Sequence, residues 1–312
     1  DVYKRQALLA GALLGTLPDM DVFIDFGGAV ENFTYHRGFS HSLFVLGPFS
    51  IALWLLLKRL WAPVREAPIP WLLAISLPLL THPLLDAHTA YGTQLFWPLT
   101  VTPSMWATLF IIDPLYTLPL IFGVLAAAVW PASDRSNALL IAGLALSTLY
   151  LGWSWAGQSI ARYHAREALA EMQLKDAPVF VVPTAFNTML WRVVVMVDDG
   201  YLEGFDSLLV DEGIMRFNAY SSDNAALRDA SDLWAVQRLR WFANDFVRAE
   251  VSDGRLIITD LRMGSEPVYV FRHVVAVLGN PHWKAMPTEQ VFTFAFNELD
   301  LSAIWSRIWS AP

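Results

Sequence analysis

Apolar runs of near-bilayer length set the first constraint on this chain. Residues 39–57, 70–85, 105–130 and 138–157 are dominated by Leu, Ile, Val, Phe, Ala and Trp. A hydrocarbon core offers no water to peptide groups, so runs of ~20 such residues have to be helical. Residues 6–17 form a fifth, shorter run, the expected second half of a helix whose beginning precedes the sequence. The expectation is therefore a membrane bundle of about four to five spans. Pro78 and Pro83 predict a kink in the 70–85 span, and Ser40 is expected to cap the first one. The 14 Trp and the 55% hydrophobic content agree with a chain partly embedded in lipid.

From residue 178 the pattern changes. Val179–Val182, Leu190–Val197, Ile214–Tyr220, Phe246–Val251, Leu256–Leu261 and Val268–Val277 are short β-type runs. Turn signals such as Asp198-Asp199-Gly200 and Ser252-Asp253-Gly254 separate them, and Asn224 to Phe242 reads as one helix. The expected division is a helical transmembrane domain over 1–157, an amphipathic connecting helix over 158–177 and a mainly β, α+β extramembrane domain over 178–312.

Charge limits the partners. The whole chain carries a net −8, and residues 178–312 hold 11 Lys and Arg against 17 Asp and Glu, a net −6. Such a balance excludes nucleic acid, whose phosphates require a basic face. Lys4, Arg5, Lys58, Arg59, Arg65 and Arg135 fall at one set of helix ends, which the positive-inside rule makes cytoplasmic. The β-rich region, Asp19, Asp21, His36, His41, His82, Asp86 and Asp113 are then all expected on the extracytoplasmic side.

Three polar clusters stand at the mouths of these spans: Pro18-Asp19-Met20-Asp21, His36-Arg37-Gly38-Phe39-Ser40-His41-Ser42 and His82-Pro83-Leu84-Leu85-Asp86. Ionisable groups are costly there unless they are used. His82 and Asp86 are at i and i+4 and share a helical face. His36 and His41 flank Gly38, at a spacing that suits a turn feeding a helix. The fork of Arg37 suits an anion such as phosphate. Asp113 is expected about one turn inside its span, where it could orient a histidine, with Ser40 and Thr89 in the same supporting role. A chain without Cys confines any metal to imidazole, carboxylate and water. Candidate ligands are His36, His41, His82, Asp86, Asp19 and Asp21, a set suited to Zn²⁺ or Mn²⁺, as one ion or two. Arg37 and Asp21 are the candidate catalytic groups.

The runs GTLPDMDVF, HRGFSHSL, HPLLDAHTAYGTQLFWPLT and IIDPLYTLPL resemble the YdjM-like family of inner-membrane metal-dependent hydrolases. LWRVVVMVDDGYLEG, Phe246 to Asp253 and ITDLRMG are similar to its longer members. Members usually begin with a short stretch that is absent here, so a truncated N-terminus is expected. The resemblance implies metal ligands at His36, His41, His82 and Asp86, with Asp19 and Asp21 beside them. The expected activity is hydrolysis of a phosphoester or ester of a small or lipid-like, membrane-associated substrate by a metal-activated water. The alternative is a non-catalytic membrane protein with a structural metal and a partner-binding outer domain.

Overall fold

The computed structural model describes residues 2–130, 133–291 and 301–311, with the side chains of residues 2–6 outside the described part. The chain divides into two compact units. The first comprises residues 1–25, 35–106 and 114–151, and the second residues 26–34, 107–113 and 152–312.

Helices make up the first unit: α1 (Val2–Thr16), α3 (Leu43–Leu60), α4 (Ala62–Glu66), α5 (Pro68–Asp86), α6 (Pro114–Val129) and the first half of α7 (Asp134–Glu171). The intervening α2 (Ala29–Tyr35) belongs almost wholly to the second unit. Among the described residues, α3, α5 and α7 are long and apolar enough to cross a membrane, while Ala7–Thr16 and α6 are apolar but shorter. Their exteriors are greasy, with Leu55, Leu56, Leu73, Leu77, Leu144 and Leu149 all exposed. Leu46, Ile75 and Leu79 pack inside with Leu14, Leu53 and Trp54. Polar groups within these apolar helices find partners: Ser76 donates to Ser50 at 3.1 Å and the Trp54 indole to the Pro68 carbonyl at 2.8 Å. Both bonds remove a cost that lipid would otherwise impose.

Three boundaries differ from expectation. The cap of α3 is Ser42, whose hydroxyl accepts from the Phe44 amide, because a 3-10 turn over Phe39–His41 separates Ser40 from the helix. The 105–130 run becomes helical only at Pro114. Proline disfavours helix in the residue before it and is at home in the first turn, so Asp113 precedes α6 and does not lie inside it. The 138–157 span and the 158–177 connecting helix are joined in one 38-residue helix, since no Pro separates them and Gln158–Glu171 is rich in Ala, Arg and Glu. α7 stops where Gln173 turns left-handed (φ 61°), with Leu174 N–H on the Leu169 carbonyl and Gln173 N–H on that of Ala170.

The second unit is β-rich. β1 (Val179–Pro183), β2 (Leu190–Val197), β3 (Gly200–Ser207) and β4 (Phe217–Ser221) form an antiparallel meander. α8 (Asn224–Asp229) and α9 (Trp234–Phe242) follow as two helices, not one. Asp229, Ser231 and Asp232, all weak helix formers, cluster at the break between them. β5 (Val247–Ser252), β6 (Arg255–Asp260), β9 (Arg272–Leu278) and β10 (Trp283–Gln290) make a second sheet in the order β10-β9-β6-β5. The two-residue strands β7 (Gly264–Ser265) and β8 (Val268–Tyr269) pair with each other, and α10 (Leu301–Trp309) ends the described chain. The β5–β6 turn is the one its Asp253-Gly254 pair predicts, with positive φ at both residues (49° and 69°). Ala161, Ala165, Ala168 and Leu169 of α7 pack on Trp191, Val193 and Val195 of β2, their small side chains admitting the strand closely. α2 is held by Phe33, which stacks on Phe271 and meets the His273 ring at a tilt, and by Arg238, which donates to the Thr34 carbonyl at 3.0 Å.

Candidate metal centre

Three turns of the first unit shape the site. Pro18 opens a 3-10 turn over Pro18–Phe23 that aims Asp19 and Asp21 differently: Asp21 is buried, whereas Asp19 stays 47% exposed. The second turn, Phe39–His41, follows Gly38, where a Cβ would sit 2.7 Å from the Tyr35 carbonyl oxygen. Glycine is thus required at 38 by the chain's own backbone. His41 ends that turn fully buried. His82 and Asp86 occupy the last turn of α5, on one face as their spacing predicts.

These turns bring four side chains together. His41 Nε2 lies 3.1 Å from Asp86 Oδ2 and 3.3 Å from Asp19 Oδ1. His82 Nε2 lies 3.4 Å from each of the same two oxygens and 3.2 Å from His41 Nε2. All four donor atoms fall within 4.8 Å of one another. Tetrahedral ligands at ~2.0–2.1 Å from a cation stand about 3.3–3.4 Å apart, so this spacing suits a small divalent ion. Asp86 Oδ2 is the clearest sign of fit. It is buried and close to both imidazoles, yet makes no hydrogen bond.

The hydrogen-bond chain behind His41 sets its tautomer. Asp21 Oδ2 can only accept, so the Ser40 hydroxyl donates to it, at 2.5 Å. Ser40 Oγ must then accept from His41 Nδ1, 2.9 Å away. The proton of neutral His41 is therefore on Nδ1, and Nε2 presents a lone pair to the other donors, as metal-bound histidines require. Asp21 also accepts the Arg37 amide at 3.0 Å and pairs with His36 Nδ1 at 2.7 Å. It thus acts on the cluster through Ser40. His36 stands beside the four donors, and its ring meets those of His41 and Tyr91 edge-on.

Arg37 has a left-handed backbone (φ 58°) and is buried. Its Nε lies 3.3 Å from Asp86 Oδ2, a terminal nitrogen donates to Thr89 Oγ1 at 3.2 Å, and the guanidinium covers the Tyr91 ring at 5.1 Å. Thr89 in turn donates to the Asp86 carbonyl at 2.7 Å. The guanidinium expected to meet an anion is therefore engaged with the protein. Tyr91, which sequence reasoning passed over, is a wall of this pocket; its place in the polar loop after Asp86 was the available signal. Asp113 is buried in the second unit.

Charge follows geometry. Hydrogen bonds to His41 and His82 hold the Asp19 carboxyl far below the usual carboxylate range, against the opposing effect of burial. Burial pushes Asp21 up, but bonds from His36, Ser40 and the Arg37 amide outweigh it, so it too stays below its ordinary value. Both are carboxylates at neutral pH, the form a cation needs.

The profile of the YdjM inner membrane protein family matches residues 2–161, the stretch that contains all three clusters. Inner membrane protein YbcI of Escherichia coli (strain K12) is 40% identical over 97 residues, 31% of this chain and 54% of YbcI. The chain thus matches about half the length of that relative. The uncharacterized protein YfhP of Bacillus subtilis (strain 168) is 24% identical over 291 residues, 89% of this chain and 84% of YfhP. No solved structure matches. A profile spanning half of the chain places it: this protein belongs to the YdjM inner membrane protein family.

Proposed function

We propose that the chain is a multi-pass membrane hydrolase that uses a divalent cation, Zn²⁺ or Mn²⁺, held by Asp19, His41, His82 and Asp86. One observation carries this reading: five distances among four donor atoms from three separate elements fall between 3.1 and 3.4 Å. When bound, the ion supplies Lewis acidity and acidifies a water. The protein's own residues do the rest. Ser40 fixes the tautomer of His41, Arg37 steadies Asp86, and Asp21 orients the His36 ring through its Nδ1. Asp19, the most exposed of the four, marks the side open to substrate. The proposed substrate is a phosphoester or ester presented at the membrane surface.

The topology supports an extracytoplasmic site. α3 carries His41 just before its first turn and Lys58-Arg59 in its last. α5 follows Arg65 and ends in His82 and Asp86, and α7 starts beside Arg135. The basic ends are cytoplasmic by the positive-inside rule, with α1 and α6 completing up to five crossings.

A second reading rests on the donor count: four protein ligands fill a tetrahedral shell, as in structural sites. Elemental analysis of detergent-purified protein, with His41→Ala and Asp86→Ala, tests the site. Full metal content in both variants would sink it. Hydrolysis of chromogenic phosphodiesters and esters, with and without chelator, separates the two readings. Bound metal with silence across the panel favours the structural one.

A further inference from the structure

The β-rich unit carries an aromatic face that the metal centre does not use. On α10, Leu301, Trp305 and Trp309 recur every fourth residue and are 45%, 62% and 58% exposed. The opposite contacts are made. Ile308 is buried, its carbonyl accepts from Ser207 Oγ at 2.7 Å, and Arg307 pairs with Asp211 and bonds the Phe205 carbonyl. α10 is therefore anchored to the end of β3 with its tryptophans turned out.

The end of β3 also meets α7. His164 Nδ1 pairs with Asp206 at 2.9 Å, and Gly157 lies so close to Trp191 and Leu208 that a Cβ there would stand 3.0 and 3.3 Å from them. The apolar run of α7 ends at Trp153 and Trp155, both partly exposed. From Gly157 to His164 the helix advances only about 10 Å at 1.5 Å per residue. The strand end that carries α10 thus sits within roughly one helix diameter of the level at which α7 leaves the bilayer. Leu209, 48% exposed, follows the same strand end, its amide on the Ser207 hydroxyl that also bonds the Ile308 carbonyl.

Charge selects the occupant. The only charged residue of α10 is Arg307, already paired with Asp211, and residues 178–312 are net negative. An anionic surface is disfavoured; uncharged tryptophans suit the headgroup layer of a bilayer. We propose that Leu301, Trp305 and Trp309, with Leu209, dock into the headgroup layer of the bilayer that α7 crosses, so the β-rich unit is held to the membrane at two points. The proposal rests on α7 spanning that bilayer.

The chain has no Cys, so single spin labels can be placed without background. In phosphatidylcholine proteoliposomes of the full chain, labels at Leu301→Cys and Trp305→Cys should collide several-fold more with oxygen, relative to a water-soluble nickel chelate, than labels at Ser306→Cys and Ser310→Cys. High salt should leave the ratio unchanged. Equal nickel access at Trp305→Cys and Ser306→Cys overturns the proposal. So does dipolar broadening at Trp305→Cys that disappears on dilution with unlabelled chain, because a second copy then covers the face. A label at Leu149→Cys, on the exposed apolar part of α7, reports the span separately. An aqueous signal there overturns both readings, whereas a lipid signal there with an aqueous α10 overturns only the docking.

Discussion

Ser40 shows how much of the centre depends on a residue that touches no cation. Its hydroxyl joins Asp21 to His41 and fixes which imidazole nitrogen is bare. Ser40→Ala should weaken metal binding by about 10–100-fold, the usual cost of losing such a partner, with helix content unchanged. Ser40→Thr should restore most of it, and competition with a chelating dye measures both. The pairing of His82 with Asp86 could be read from their spacing. The Asp21–Ser40 bond could not, because two 3-10 turns decide where each residue points. In the β-rich unit His273 is fully buried, with no hydrogen bond at either ring nitrogen, and burial pushes it down to about 4 against the pull of Asp260. Its folded value lies below the ordinary 6.5, so the unfolded chain takes up the proton first. Stability is then unaffected above pH 6.5, falls as pH drops from 6.5 to 4, and levels off below, a loss of about 3 kcal/mol. His273→Leu should remove that acid sensitivity, read as resistance of the β-rich region to protease across this pH window. An unchanged acid profile would refute the assignment.

At the scale of elements, hydropathy disclosed the apolar helices but not how they pack. A Cβ on Gly143 of α7 would stand 2.3 Å from the Pro119 carbonyl oxygen of α6, and one on Gly123 would stand 3.0 Å from that of Leu139. Small residues let these helices meet backbone to backbone, which drives association in lipid. Gly143→Val should force them apart at a cost of about 1–3 kcal/mol. Gly152→Ala, in the same helix with nothing within 4 Å of its Cβ, should be silent. Thermal unfolding in detergent compares the two, and equal midpoints would refute the close contact. The strands that sequence reading missed have physical reasons too. β3 hides its alternation because Glu203 points inward to a buried pair with Arg192, 2.5 Å away. β10 contains Pro287 beside a register shift between Ala285 and Glu289, tolerable only on the sheet edge it occupies.

For the whole molecule, the four donors come from three stretches distant in sequence: the turn after α1, the turn before α3 and the last turn of α5. An ion held by all of them cross-links the helical unit, and its binding energy becomes folding energy for that unit. At free metal a thousandfold above Kd this linkage amounts to about 4 kcal/mol. No donor of the cluster comes from the β-rich unit, whose core is built on Trp191, Val193 and α7. Stripping the metal with a chelator should therefore lower the melting midpoint of the helical region by several degrees and leave the β-sheet transition in place. Far-ultraviolet circular dichroism resolves the two by their helix and sheet signals. Restoring Zn²⁺ should reverse the shift, and His41→Ala should melt at the chelated midpoint with or without chelator. A chelator that leaves both transitions unmoved in metal-loaded protein, or shifts them equally, would show that the cation is not the clasp of the helical unit.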